Sequence, residues 1–284
     1  MLALYNSYKD GTVFINDQNR RLRRGDSWIF GPYWTHRFND SFNTDLYYLY
    51  TEIDDDFENT DERNHPSDEN AELHIAGIRV FGAPHPQIDY SVEFAQQFGD
   101  WMPGQNAEAD FEGRMVDARL DLKAAEGTPL KPVLQLEYTY LSGDDPGTAN
   151  EYEGWHPAYA EYPIWREELL PILFNGNWTN LNQVRTALGT QLLGQTRCTK
   201  AVNLLLAWSY LWADEGDFGG FAGGAPAASS GGGDEIGHLY SAFLDILVND
   251  SLSFALEAAE FRPGNHWGAG ESSEWLRFQT VFRF

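Results

Sequence analysis

The chain has 284 residues and a formal net charge of −24, from 43 acidic against 19 basic side chains, enough length for one large β domain or two ordinary ones. No excess of Lys and Arg is available to replace phosphate counterions, which excludes a nucleic-acid partner. The single cysteine, Cys198, excludes an internal disulfide and any cysteine-cluster metal site.

Leu2–Lys9 and Thr12–Asp17 read as two short opening strands. Residues 1–17 lack both the basic start and the long apolar run of a signal peptide, so either the protein stays in the cytoplasm or its true N-terminus is missing. "SWIFGPYWTHRF" (27–38), "DLYYLYTEI" (45–53) and "ELHIAGIRVFG" (72–82) alternate weakly. In "QIDYSVEFAQQF" (87–98), Ile88, Tyr90, Val92 and Phe94 alternate with Asp89, Ser91, Glu93 and Ala95. In "LKPVLQLEYTYLS" (130–142), Leu134, Leu136, Tyr138 and Tyr140 alternate with Val133, Gln135, Glu137 and Thr139. "AVNLLLAWSYLW" (201–212) sets Val202, Leu204, Leu206, Trp208, Tyr210 and Trp212 on one side; as the longest apolar run it is too short for a membrane helix. "LYSAFLDILV" (239–248) and "SLSFALEAAEF" (251–261) keep the same period. The chain ends in mid-alternation with "SSEWLRFQTVFRF": Leu276, Phe278, Thr280, Phe282 and Phe284 share one parity, and Arg277, Gln279, Val281 and Arg283 the other. A period of two places these sets on opposite faces of a strand.

The connections alternate between short and long. "FNDSFN", "GAPHP", "AEGTP", "LGQT" and "VNDS" are short, whereas 54–70, "GDWMPGQNAEA", 143–178, 214–237 and "RPGNHWGAG" are long. All short turns therefore fall at one end of a sheet and all long loops at the other, the asymmetry of outer-membrane barrels. A soluble meander or lipocalin-like barrel can also gather long loops at one end, and periodicity alone does not tell inside from outside. Strands of roughly 12 residues exceed the ~9–11 needed to cross a bilayer. Aromatic residues, 15 % of the chain, crowd strand ends (Trp28, Trp34, Tyr138, Tyr140, Trp208, Tyr210, Trp212) as interfacial girdles require. The expected fold is all-β: an antiparallel up-and-down transmembrane β-barrel of about 12–14 strands, with long extracellular loops and short periplasmic turns. Residues 1–284 form a single domain, with a poorly defined start at 1–25 and long extracellular loops at 143–178 and 214–237.

"VLQLEYTYLSGDDP" (133–146), "EGWHPAYAEYPIWREELL" (153–170), "NWTNLNQVRTALGTQLL" (177–193) and "GHLYSAFLDILVNDSLSFALEAAEFRPGNHW" (237–267), followed by the terminal "FRF", resemble the alginate export family of porin-like outer-membrane barrels. The resemblance runs over most of residues 26–284 and rests on order and spacing. It implies residence in the bacterial outer membrane, contact with its lipid and lipopolysaccharide, and about eighteen strands behind a signal peptide. About thirteen candidate strands occur here, an odd count, so residues 1–284 are expected to be the carboxyl-terminal part of a longer barrel forming an open or poorly closed sheet. Phe282 and Phe284 resemble the terminal signal by which barrel-assembly machinery recognises its clients.

The inward parity supplies a candidate pore lining: Arg37, Arg79, Glu93, Asp117, Arg119, Asp121, Glu137, Arg185, Asp245, Glu257, Arg277 and Arg283. In a water-filled barrel such charges set ion preference through their local field; the plainer reading is that they pair into structural ladders, Arg119 beside Asp117 and Asp121 for instance. With six basic and six acidic members, the set shows no net basic constriction. Trp155, Tyr159, Tyr162 and Trp165 either fold inward as a plug with stacking platforms for sugar rings or pack against their own barrel rim. Residues 54–70 hold eight carboxylates against one arginine but lack the spacing of a dedicated Ca²⁺ loop, so a solvated acidic loop is the simpler reading. The Gly-rich stretch 219–233 lacks Gly-Lys-Ser/Thr and is no phosphate loop. The functional expectation is a channel for ions or small hydrophilic solutes, anionic saccharides among them, with no cofactor, no metal and no chemistry. A barrel phospholipase or protease would need a Ser–His or acidic–His arrangement that the seven histidines do not form in sequence, and a structural or adhesive barrel would need a filled lumen.

Overall fold

The computed structural model describes residues 2–8, 25–55, 69–103, 109–145, 147–148, 150–156, 179–197, 199–216, 233–267 and 270–284. Fifteen strand segments form one sheet: β1 (Leu2–Tyr8), β2 (Gly25–Gly31), β3 (Tyr33–Arg37), β4 (Asn43–Asp55), β5 (Glu69–His85), β6 (Ile88–Pro103), β7 (Ala109–Phe111), β8 (Arg114–Lys123), β9 (Val133–Leu141), β10 (Glu151–Tyr152), β11 (Leu181–Leu193), β12 (Ala201–Trp212), β13 (Glu235–Leu247), β14 (Leu252–Pro263) and β15 (Ser273–Phe282). A 3₁₀ turn spans Asn265–Trp267.

Each strand on the main path pairs antiparallel with the next, in the order β1-β2-β4-β5-β6-β8-β9-β11-β12-β13-β14-β15. Among the described residues the path has twelve members, within the expected 12–14. β2 and β3 are halves of one strand, since both pair with β4. The break falls at Pro32, which has no N–H to give to the ladder. β7 and β8 likewise share β6 as partner. One departure from the antiparallel meander is β10, which lies inside the loop expected at 143–178 and pairs parallel with β7 over two residues. A second is the start of β13 at Glu235, which shortens the loop expected at 214–237. Among the described residues no pairing joins β15 to β1, so the sheet is open. The second expected opening strand, Thr12–Asp17, lies outside the described residues.

Two of the short turns use the same chemistry. In Asn39-Asp40-Ser41-Phe42, the Asn39 Oδ1 accepts the N–H groups of Ser41 and Phe42 at 2.8 and 2.9 Å. In Asn249-Asp250-Ser251-Leu252, Asn249 Oδ1 accepts those of Ser251 and Leu252 at 2.8 and 2.9 Å. An asparagine side chain standing in for a backbone carbonyl closes a tight turn that leaves few donors unmet. These turns, with those at 86–87, 124–132 and 194–200, gather at one end of the sheet.

The two faces are inverted relative to a soluble protein. One parity carries Leu188, Leu206, Phe94, Val92 and Leu256, and Leu188 and Leu206 are each 48 % exposed. The opposite parity carries charge, yet Arg185 and Glu257 are each only 2 % exposed. A chain folding in water does the reverse, because exposing apolar area costs roughly 25 cal/mol per Å² and burying unneutralised charge costs more. The apolar face is therefore the one suited to hydrocarbon. Toward the long-loop end it carries stacked rings: His74 on Phe98 (centroids 5.2 Å apart) and Trp208, Tyr210 and His238 around one another.

Candidate pore lining

Strand register aligns the charged parity into rungs that cross the sheet. One rung runs Asp45, Arg79, Glu93, Asp117, Thr139, Gln183 from β4 to β11. The next runs Ser91, Arg119, Glu137, Arg185, Ser209 from β6 to β12. Residues directly opposite on adjacent strands lie close enough to pair, so the sign sequence along a rung decides its electrostatics.

The pairing is extensive. Arg185 Nη1 donates to Glu137 Oε2 at 3.0 Å, with both side chains nearly inaccessible. Arg119 donates twice to Asp121, at 3.0 Å each, and its Nε lies 3.6 Å from Glu137 Oε1. Arg79 Nη2 lies 2.6 Å from Asp45 Oδ2, which also accepts the Tyr33 hydroxyl at 2.9 Å. The Tyr47 hydroxyl donates to Glu93 at 2.6 Å, and Thr139 Oγ1 to Asp117 Oδ2 at 2.9 Å. Arg277 Nη2 meets Glu257 Oε2 at 3.2 Å. Lys123 is ion-paired with Asp89 on the same face.

Of the twelve charged candidates, Arg37, Arg79, Glu93, Asp117, Arg119, Asp121, Glu137, Arg185, Asp245, Glu257 and Arg277 lie in strands on this parity. Arg283 follows the end of β15, its N–H bonded to Ser251 O at 2.8 Å. Arg37 and Arg283 sit at the short-turn end. Arg119 pairs with Asp121 and Glu137, while the oxygen of Asp117 goes to Thr139. Of the aromatic loop candidates, Trp155 is placed and Tyr159, Tyr162 and Trp165 lie outside the described residues. Phe282 closes β15 on its outward parity, and Phe284 is fully exposed beyond it.

Trp155 belongs to an apolar cluster that fills the charged parity toward the long-loop end, with Leu141, Leu181, Leu211, Ile236, Leu239 and Phe261. Its segment is tied down by two side chains that sequence reasoning missed. Gln97 on β6 clamps the buried backbone of His156, donating Nε2–H to its carbonyl and accepting its N–H, both at 2.8 Å. Ser142 is a hub: its carbonyl accepts the N–H of Trp155 and Asn180, its hydroxyl donates to Glu153 O at 2.6 Å and accepts the Arg114 N–H at 2.8 Å. The following Gly143 is small of necessity, since a Cβ there would stand 2.4 Å from Asn180 Oδ1. Asn180 in turn accepts the N–H groups of Asp214 and Glu215 at 2.8 and 2.7 Å. The Ser-Gly-Asp stretch is thus the knot that ties three long-loop segments together. Neutral polar residues on a buried parity leave no hydropathy signal of their own, although the unusual polarity of "TNLNQ" (179–183) hints at them.

The same end concentrates carboxylates. Burial, then the charges of Glu153 and Asp145, hold the Asp144 carboxyl above its ordinary pKa, although it accepts the Glu153 N–H. Burial, then Asp214, Asp145, Glu153 and Asp234, do the same to Glu215. Among the described residues no group of His, Cys, Asp and Glu is arranged to hold a metal ion.

No curated protein matches the chain. The model of one protein family, described as alginate export, matches residues 16–278, most of its length. Taken with the inverted faces and the meander of antiparallel strands, the match assigns the chain to a family of transport barrels: it belongs to the alginate export family of outer-membrane β-barrels.

Proposed function

We propose that the protein is an outer-membrane conduit through which ions and small hydrophilic solutes, anionic saccharides included, pass without chemical change. The observation that carries this reading is the inversion of the sheet: Leu206 is 48 % exposed on one parity while Arg185 is 2 % exposed on the other. Lipid would cover the first face, and lipopolysaccharide the aromatic band near the long loops. The second face would border water. Phe282 and Phe284 would engage the assembly machinery, their strand being the exposed edge. The test is single-channel recording in planar bilayers with the refolded chain. Stepwise currents are expected; correctly folded protein that carries none would refute the conduit.

A second reading has its own observation. The Trp155 cluster packs the inner parity near the long loops, which favours a barrel with an obstructed outer mouth. On that reading, wild-type current is small and rises when Gln97→Leu releases the segment at His156.

A further inference from the structure

On the outward face a groove of about 760 Å³ crosses β12, β13, β14 and β15. One rung shapes it: Leu206, Ala242, Ala258 and Leu276, large at both ends and small over the two middle strands. The alanines form the floor, and the two exposed leucines stand as walls. Toward the long loops the next rung is Trp208, Tyr240, Glu260 and Glu274, of which the last three line the groove. The mouth of the groove is therefore polar where its floor is not.

That mouth carries charge of both signs. Arg262, two residues beyond Glu260, lies over the Tyr240 ring at 5.0 Å. It donates Nε–H and Nη2–H to the Glu260 carboxylate at 2.8 and 3.3 Å. A guanidinium has five N–H donors, so three remain for a ligand. His238, opposite Arg262, lies 3.5 Å from Glu235. Glu274 stands directly opposite Glu260, like charge against like, and among the described residues no cation pairs with it. Arg262 and Glu274 lie on a diagonal of the ladder, a spacing of about 7–8 Å. Donors for an anion and a carboxylate for a cation thus flank one apolar trough.

We infer that this groove seats a zwitterionic phospholipid of the phosphatidylethanolamine class, its phosphate on Arg262 and its ammonium on Glu274. The inference rests on the reading that the apolar parity meets lipid, and it names one lipid for one place on that face. An acyl chain laid over Ala242 and Ala258 fills a space that no side chain occupies and regains the contacts a void forfeits. A purely anionic headgroup would bring its phosphate beside two carboxylates with no cation of its own to offset them. A trimethylated headgroup has no N–H to give Glu274, whereas a primary ammonium makes charge-assisted bonds. A second groove on the same face supplies the contrast. It measures about 520 Å³ and lies over Ala76 among Trp34, Leu46, Ile78 and Phe94. Beyond the rings of Tyr50 and His74, its next rung toward the long loops is Glu52, Glu72 and Asp100, which offers a phosphate no cation.

Native mass spectrometry of the full chain in micelles reads an apparent Kd for dioleoyl phosphatidylethanolamine, phosphatidylglycerol and phosphatidylcholine, titrated in turn. One phosphatidylethanolamine is expected to bind more tightly than either of the others. Arg262→Gln and Glu274→Gln are each expected to weaken it about tenfold, the factor of one lost charge-assisted contact. Ala258→Leu fills the trough and is expected to abolish binding there, with folding checked by heat-modified electrophoretic mobility. Ala76→Leu, in the other groove, is expected to keep the wild-type preference. Equal affinity for the three lipids, tighter binding of phosphatidylglycerol, or displacement by equimolar lipopolysaccharide would each overturn the seat. Arg262→Gln and Glu274→Gln variants indistinguishable from wild type would do the same. So would a dimer that Ala258→Leu dissociates, since a second copy of the chain would then be the occupant. A preference that depends on Arg262 and Glu274 in a protein that carries no current refutes the conduit and keeps the seat. Current without that preference does the reverse.

Discussion

A guanidinium as inaccessible as that of Arg185 is tolerable only because Glu137 stands 3.0 Å away. Removing one member of a buried pair strands the other, at a cost of about 3–5 kcal/mol, whereas replacing both by apolar side chains is often nearly neutral. Glu137→Gln should therefore lower folding stability markedly and Glu137→Leu with Arg185→Met much less, measured by urea titration in lipid vesicles. The two parities give a second test at adjacent positions. Leu136 faces outward and Gln135 inward on the same strand. Leu136→Arg should cost about 2–4 kcal/mol in bilayer folding, as for an arginine near the midplane, and Gln135→Arg far less. Equal penalties would mean that both faces are buried and that the sheet belongs in water. At this scale the sequence was informative where charge broke an apolar alternation, as at Arg119, Glu137 and Arg185. It was silent on Asp45, because "DLYYLY" blurs the period, and on Gln97, Ser142 and Asn180, whose neutral polarity resembles that of any loop. Their importance comes from partners about 10–60 residues away in sequence, which no local pattern encodes.

Strands and turns were legible for a different reason: their information is local. Alternation alone is enough to place β9, β12 and β14 and to gather the short turns at one end. The segment 27–38 reads as one strand; Pro32 splits it into β2 and β3, and the shared partner β4 keeps them one strand in space. β10 was missed because a two-residue parallel pairing has no period to read. The turn chemistry makes a further prediction. Asn249→Ala removes the acceptor for both Ser251 and Leu252 N–H groups. At about 0.5–1.5 kcal/mol per bond, less what water restores at an exposed turn, the β13–β14 hairpin should lose on the order of 1 kcal/mol. Hydrogen exchange should quicken at Ser251 and Leu252 and stay unchanged at the equivalent turn after Asn39. Uniform acceleration over both turns would mean global loosening instead. β6 shows how an element bends to serve a loop: Gly99 has φ of +145°, and a Cβ there would lie 2.0 Å from Glu72 O. Gly99→Ala should therefore disturb the long-loop end of β5 and β6, and with it the Gln97 clamp two residues away.

For the whole molecule the governing quantity is the field at its long-loop end. The net charge of −24 far exceeds what the paired rungs contribute, since Arg185, Arg119, Arg79 and Arg277 each have an acidic neighbour. A cluster of mutually repelling acid lies beyond the strands, around Asp144, Asp145, Glu153, Asp214, Glu215 and Asp234. Cations should therefore be enriched at that mouth, and reversal potentials across a salt gradient should be cation-selective at low ionic strength. The preference should fade as salt rises, because the Debye length is ~10 Å at 0.1 M and shrinks further above it. The raised pKa values of Asp144 and Glu215 fix the direction with pH. A carboxyl raised in the folded state favours that state when protonated, so its stabilising contribution is complete below the ordinary carboxylate value. It is lost as pH climbs through the raised one. Acidification from neutrality should thus do two things within one window, which opens above the ordinary carboxylate range. Cation selectivity should fall, and the knot of Ser142, Asn180 and Asp214 should exchange its amide protons more slowly. Glu215→Gln should shrink both responses by removing one of the two groups. Anion selectivity at low salt would contradict this account and place control at Arg119, Arg185 and Arg277, meaning that their carboxylate partners do not neutralise them in water. Selectivity that moved with pH while exchange at the knot did not would separate the field from the loops, and place the titrating groups elsewhere in the conduit.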